Sequence, residues 1–464
     1  MAGISDNELN LTDAEDDCHL LRREDLLVEP FQPVTYNIER VGRLEDVIAP
    51  PYDVMTPQER EKYARSHPFN IVHILLPRQA CEEIKRTNED YEMAGAIARR
   101  WLSEGILVLS QKPFVYPYRQ LFKDDNGNTV EQWSIIVAMQ LREYSTRVVR
   151  PHEMTTKASK LDRLMLLRAT RLEMGQVYAL FVDEDKDIDE LLLSGTSRGE
   201  PWLSVMDDKG ILHSIWRIDD IVWLSELQSA LQDSWVLIAD GHHRYETAIA
   251  YMRERWRYEG GLSEGHPACY IGVALANLYG QITILPTHRL LHFSSPNERD
   301  RFVRWLINTF WQNGYAERMS VQDALLRFQQ LTDGEGVVNF VISYGNETLL
   351  LRASTHELVK LCPGEMIGRS ELINAGVNTV VLHELILPMA RHSIGAIDEP
   401  LLSYTQDVTE ALKAASSDER SVAILLRPIV ITQLRLAAEL GERLPPKSTY
   451  FYPKVPSGLV MRLL

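Results

Sequence analysis

The chain has 464 residues, of which 45% are hydrophobic and 25% charged, with a net charge of −16. That make-up belongs to a globular protein with core enough for two or three domains. The acidic balance excludes a general nucleic-acid binder, and no apolar run approaches the roughly 18 residues that cross a bilayer.

The start, MAGISDNELNLTDAEDD, has neither the basic head nor the apolar core of a signal peptide, and residues 1–29 read as an acidic, flexible tail. From Pro30 the pattern is that of a fold. VIAPPYD predicts a short strand and a rigid turn at Pro50-Pro51, followed by a helix opened by Thr56-Pro57 with Glu59 in its first turn. NIVHILLP, residues 70–77, reads as a buried strand. Residues 89–104 have helical spacing, and ILVLS follows as a strand.

FVYPYRQLF and VEQWSIIVAMQL flank the turn Asp124-Asp125-Asn126-Gly127-Asn128, a hairpin signal, and PWLSVMDDKGILHSIWRI predicts a second hairpin. Between them KLDRLMLLRATRLEM is helical and QVYALFVD is a strand. Beyond Asp240 come a helix, the strand ACYIGVALAN and the strand ITILPTHRLLHF. After about Ser294 short strands and helices alternate. The reading is an α+β fold, with residues 30–294 as a first domain carrying hairpin insertions (the one that the motifs and resemblance below make a phosphate-binding catalytic domain) and 295–464 as a C-terminal α/β domain with an extended tail. Cys18, Cys81, Cys269 and Cys362 lie far apart with no CxxC pair. That suits a reducing cytoplasm better than a disulfide scaffold or a zinc site.

The densest chemistry lies in WVLIADGHHRYETAIAY. An apolar strand ends at Asp240, Gly241 lets the backbone turn, and a helix starts near His243. Unpaired N–H groups and a positive partial charge make a helix N-terminus an anion site. Arg244 adds a planar fork of donors for phosphate oxygens. His242 and His243 can donate hydrogen bonds or move protons, and Asp240 can hold a magnesium ion or accept a proton. A plain helix cap would explain the aspartate but not the four residues after it.

RPHEMTTKASKLDRLMLLRATR is the most basic stretch, with Lys157, Lys160, Arg163, Arg168 and Arg171. Glu153 is a candidate general base beside phosphate-binding cations, against the plainer reading of a solvated helix face. GTSRG at 195–199 matches a nucleophile elbow only by coincidence, in a loop, and His383-Glu384 lacks the second histidine of a zincin. PKSTYFYPKVPSG, with Lys447 and Lys454, either returns to the site or braces the fold.

Four stretches together, ADGHHRYETAIAY, PHEMT with the following K-x-DRLMLLRATR, ILPTHRL and PPKSTYFYPKVPSGLV, resemble a bacterial domain-of-unknown-function family with an Asp-Gly-His-His-Arg signature. The resemblance runs from about Pro30 to Leu464. The family is related to the ParB/sulfiredoxin superfamily and to the archaeal free-serine kinase, which implies a ParB/sulfiredoxin-like core and phosphate chemistry. Asp240, Gly241, His242 and Arg244 match the kinase-like loop that binds donor phosphates. Family members usually carry His-Glu-Arg-Thr where this chain has His152-Glu153-Met154-Thr155, so one cation is absent, with Lys157 close by.

The resemblance implies a small-molecule kinase that moves a phosphoryl group from a nucleotide (ATP or ADP) or pyrophosphate to a hydroxyl, that of free L-serine or a similar amino acid. Glu153, Asp240 and His242 would be catalytic, with magnesium on Asp240. Gly241, His242, His243, Arg244, Lys160 and Arg163 would bind phosphate, and His152 and Thr155 the substrate. The alternative is a nucleotide-binding regulator of ParB type that holds CTP or ATP without turnover. A metal-dependent hydrolase built on His242, His243 and Asp240 lacks further ligands. The expected partners are a small-molecule substrate and a second copy in a homodimer, with no nucleic acid and no membrane.

Overall fold

A computed structural model of the chain describes residues 18–77, 86–124, 126–154, 157–197, 199–331, 336–362, 371–395 and 400–464. These divide into two compact units. One comprises the described residues of Met1–Pro151, Thr155–Ile282 and Pro453–Leu464, and the other His152–Met154 and Thr283–Tyr452. Among the described residues no helix is long and apolar enough to cross a membrane.

The strands of the first unit, in chain order, are β1 (Val28–Glu29), β2 (Pro33–Tyr36), β3 (Leu107–Leu109), β4 (Tyr116–Lys123), β5 (Thr129–Gln140) and β6 (Val149–Pro151). They continue with β7 (Leu172–Glu173), β8 (Val177–Phe181), β9 (Leu203–Met206), β10 (Leu212–Ile215), β11 (Val236–Asp240) and β12 (Tyr270–Asn277), and a last strand, Met461–Leu463, closes the chain. One sheet of nine strands runs β6-β11-β8-β12-β5-β4-β10-β9, with β1 added to β5. β11 lies parallel to β6, and β12 parallel to β8. The remaining neighbours are antiparallel, which makes the fold mixed α/β with hairpins, not a repeated βαβ. The turn that joins β4 to β5 is held by Asp124, whose carboxylate accepts the N–H groups of Asn126 and Asn128. A second sheet orders β3, β2, the Met461–Leu463 strand and β7.

The longest helices described in the large sheet's unit are α1 (Asn88–Ser103), α2 (Lys157–Thr170) and α3 (His242–Glu259). β11 reads VLIAD and is buried from Val236 to Ala239, as a strand flanked on both sides must be. Tyr245 and Met252 of α3, Trp101 of α1 and Leu166 of α2 enter the same apolar core. Cys18 to Val28 also belongs to it, with Leu20, Leu21, Leu26 and Val28 buried. The solvated tail expected to reach residue 29 therefore does not extend past Cys18, because these leucines have apolar surface to bury.

In the second unit the strands are β13 (Thr283–Leu285), β14 (His288–His292), β15 (Ala316–Met319), β16 (Val337–Tyr344), β17 (Glu347–Ser354), β18 (Leu401–Thr405), β19 (Ser421–Leu426) and β20 (Tyr450–Tyr452). Six form an antiparallel sheet, β15-β17-β16-β19-β14-β18, and β13 pairs with β20. Helices Val321–Gln330 and Val408–Ser417 pack Ala324, Ala411 and Ala415 onto Val341, Leu350 and Ala423 of that sheet.

Two local expectations change. The stretch expected as a strand at 70–77 contains a short helix, Val72–Leu75. Asn70 is the reason: its buried carboxamide oxygen accepts the Val72 N–H while its nitrogen donates to the carbonyls of Asp46 and Ile48. Gly195 and Thr196, expected in a loop, end the helix Asp187–Thr196 instead.

Helices α1 and α2 cross at Gly95, where an added Cβ would lie 2.4 Å from the Ala169 carbonyl oxygen. Backbone cannot yield as a side chain can. Gly95→Ala is expected to lower the unfolding free energy by about 1–3 kcal/mol despite alanine's better helix propensity. Urea denaturation followed by circular dichroism checks it; unchanged stability would mean that the helices separate freely.

Candidate functional site

The corner at the end of β11 is built by three backbone features. The pairing of β11 with β8 shifts register between Ile238 and Asp240, a bulge that re-aims the last side chain of the strand. Gly241 follows at φ 92° and ψ 28°, left-handed, and precedes the 18-residue helix α3. An alanine there would be strained, and its Cβ would lie 2.9 Å from Arg244 Nε and Nη2. Helix α3 starts at His242, one residue earlier than expected.

Asp240 is 14% exposed and holds two cations. Its Oδ2 accepts from Arg244 Nη2 at 2.7 Å, and its Oδ1 accepts from Lys454 Nζ. Burial works against the charged form, but Lys454, then Arg244 and His242, overcome it and hold the carboxyl well below the usual carboxylate range. Arg244 Nη1 donates to the Gln176 carbonyl. Lys454 was only one residue of a tail with two possible fates in the sequence, and both are realised. Lys454 reaches Asp240, Ser457 pairs with Ala49, and Met461–Leu463 enters the second sheet.

This geometry does not suit the magnesium expected on Asp240. Both carboxylate oxygens carry a cation, and among the described residues no three His, Cys, Asp or Glu gather as metal ligands. A divalent ion would face Lys454 and Arg244 without a second carboxylate to offset them. The first unit instead presents two fixed cations and the buried His242 around one anion. His243 is half-buried beside them.

A cavity of about 70 Å³ lies against this corner in the same unit, with Arg244, Thr247 and Ala248 of α3 in its wall beside Tyr52, Arg163, Gly175 and Ser457. Arg163 is 6% exposed, bonds Asp162 through Nε at 2.7 Å and lies 4.1 Å over the Tyr52 ring. Lys160 pairs with Glu246 at 2.9 Å. The two cations expected to bind phosphate are thus already engaged by carboxylates of their own unit.

His152 and Glu153 fall in the second unit. His152 is fully buried; Nε2 pairs with the Thr449 hydroxyl at 2.7 Å and its ring packs edge-on to Phe451. That is the setting of a core histidine, so its expected substrate contact is replaced by a structural one. Glu153 bridges to Leu444, and its Oε1 accepts the Lys447 N–H at 2.9 Å. Thr155 lies outside the described residues, and Met154, where an arginine was usual, is 61% exposed.

Sequence reasoning passed over Arg289 in this unit. It is fully buried, donates to the carbonyls of Thr287 and Pro446, and meets His383 Nε2 at 3.3 Å. Burial pulls its pKa down to about 10, opposed by Tyr404 and Glu153. The signal was available in the ILPTHRL motif, but nothing in that string says that the arginine is buried.

The comparisons with known proteins agree with a domain-of-unknown-function family. A family model described as "Protein of unknown function (DUF1015)" matches residues 28–368. No curated protein matches the chain significantly. Among solved structures, SbnI with C-terminal truncation from Staphylococcus aureus is 11% identical, covers 68% of this chain and 83% of its own, and has a TM-score of 0.32. A conserved hypothetical protein from Pyrococcus furiosus is 11% identical over 71% of this chain and 95% of its own, TM-score 0.32. A free serine kinase in complex with AMP is 11% identical over 68% and 86%, TM-score 0.31. At such scores these likenesses carry no weight for activity.

Burial lowers His288 and His383 from 6.5 to about 4, with Arg289 adding to it. Both are therefore neutral in the fold at pH values where the unfolded chain takes up protons. The stability they contribute is whole above pH 6.5 and is lost as pH falls towards 4, by up to roughly 3 kcal/mol each. Hydrogen exchange in β14 and β19 between pH 7 and 4.5 is expected to show that slope, and His383→Gln to flatten it. Asp240 acts in the same direction at lower pH: its contribution is whole above the ordinary carboxylate range and is lost as pH falls through and below it.

Proposed function

The chain belongs to that family, and we propose that its Asp240–Arg244 corner grips phosphate in a small-molecule phosphotransferase. The reaction moves a phosphoryl group from a nucleotide (ATP or ADP) or pyrophosphate to the hydroxyl of a small acceptor, free L-serine or a similar amino acid. The observation that carries the reading is the charge balance at Asp240. Lys454 and Arg244 set two positive charges against one carboxylate at the head of an 18-residue helix, in a chain of net charge −16. Cations held at a helix N-terminus in a mostly buried place suit a phosphate group.

Phosphoryl transfer depends on charge neutralisation and alignment more than on covalent help from the protein. Lys454, Arg244 and the N–H groups at the start of α3 supply the neutralisation, with His242 as a further donor. Asp240 holds both cations in place and gives them up in part when phosphate oxygens compete for their N–H groups. We assign Glu153 the role of base for the acceptor hydroxyl, its carboxylate oriented by the Lys447 N–H. The exposed Met154 favours a second reading, a regulator that holds CTP or ATP without turnover, since the usual cation beside Glu153 is missing.

Arg244→Ala and Lys454→Met are each expected to weaken donor binding by about 2–4 kcal/mol in calorimetric titration. Glu153→Gln is expected to lower kcat roughly 10²–10⁴-fold with donor affinity nearly unchanged, followed by phosphorus NMR with a panel of hydroxy-metabolites. Loss of nucleotide binding in Glu153→Gln, with normal binding in Arg244→Ala, would reverse the two assignments. A wild-type protein that binds ATP or CTP and turns over no acceptor is the regulator.

A further inference from the structure

The cavity beside the corner has walls of one character and a rim of another. Leu75, Leu166, Leu172, Met174, Ala248 and Ile271 line it and are all buried. Its charged members are spent within the protein: Glu173 on Arg462 at 2.8 Å, Arg163 on Asp162. Three groups are not. The Tyr52 and Ser457 hydroxyls, both in the lining, have no hydrogen-bond partner among the described residues. Arg244 uses only two of a guanidinium's five N–H donors, on Asp240 and Gln176. Burial keeps the Tyr52 phenol protonated, so it is a donor at every physiological pH.

We propose that this cavity is a binding site for a small aliphatic organic anion, whose carboxylate or phosphate head takes the unspent donors of Arg244, Tyr52 and Ser457 and whose apolar body fills the chamber. A small ligand pocket is expected to have this form, apolar walls with a few convergent polar groups. The volume of about 70 Å³ sets the size of the body. At roughly 30 Å³ for a water-sized group, that is about two to three carbons. The inference rests on the phosphotransferase reading only in naming the occupant's role: the aliphatic anion would be the acceptor, or the acceptor's carboxylate end. It displaces serine from first place, since a side chain of one carbon and one hydroxyl gains little from six apolar walls.

The test uses the full chain and a series of straight-chain carboxylates from formate to octanoate, beside inorganic pyrophosphate, in calorimetric titration. Affinity is expected to rise about fourfold per methylene up to three or four carbons in the acid, then to stop rising. Ala248→Leu, which fills the chamber from a helical position, is expected to abolish that rise while pyrophosphate binding changes less than twofold. Leu167→Phe, from α2, serves as the second filling variant. Tyr52→Phe is expected to weaken the whole series by a common factor of several-fold and to leave its slope intact. Pyrophosphate binding with no dependence on chain length overturns the chamber and leaves the phosphate corner standing. A length dependence that Ala248→Leu and Leu167→Phe both leave unchanged also overturns it. The length dependence without any pyrophosphate binding keeps the chamber and removes the phosphotransferase reading.

Discussion

Asp240 keeps its charge at 14% exposure because Lys454 and Arg244 take one oxygen each, and the local architecture follows from that arrangement. A carboxylate in such a place, left alone, would cost several kcal/mol and would neutralise itself by binding a proton. Two cations reverse the outcome. The same contacts join the end of β11 and the first turn of α3, four residues apart, to the tail, 214 residues beyond. Truncating any one of the three leaves a charge out of water without its partner, typically a cost of about 3–5 kcal/mol. The corner is thus a structural staple, and the anion site proposed for it uses the same atoms.

The local half of this was legible in the sequence. An apolar run cut off by Asp-Gly before a helical pattern can only be a strand, a turn and a helix, and Arg244 four positions after Asp240 faces it across one helical turn. The partner half was not. Nothing near Lys454 distinguishes it from Lys447, and which of the two reaches Asp240 depends on how the tail crosses Ala49 and Met174, a matter of tertiary pairing. The partners of Arg163 and Lys160 were hidden for a related reason. A basic helix counts its charges in sequence, but Asp162 and Glu246 cancel them in space. The strand expected at residues 70–77 failed on one side chain: Asn70 offers the backbone a cap that hydrophobicity alone cannot reveal.

The second unit shows a different economy. Among the described residues Arg289 bonds no carboxylate; carbonyl dipoles and a neutral His383 solvate it instead. One of those carbonyls belongs to Pro446, and the next residue, Lys447, is held left-handed at φ 57°. A non-glycine residue there costs of order 1 kcal/mol or more, and it persists because its surroundings over-determine it. The N–H that this bend presents is the one Glu153 accepts. A buried guanidinium therefore fixes the peptide that orients the carboxylate, and the cost of burying it is spent on geometry more than on stability.

In the first unit the competition for Arg244 decides what a ligand must be. Its guanidinium already satisfies Asp240 and the Gln176 carbonyl, so an arriving anion gains only from the remaining N–H groups, from Lys454 and from α3. A monoanion would gain little over water, which solvates it as well. A polyphosphate can engage Lys454 and the helix N-terminus together, and an aliphatic anion adds the transfer of its body out of water, about 0.8 kcal/mol per methylene. On the proposed reading the corner would therefore reject small hydrophilic monoanions without any steric bar. Selectivity would come from Asp240 itself, which occupies the cations until something with more charge, or more apolar surface, takes its place.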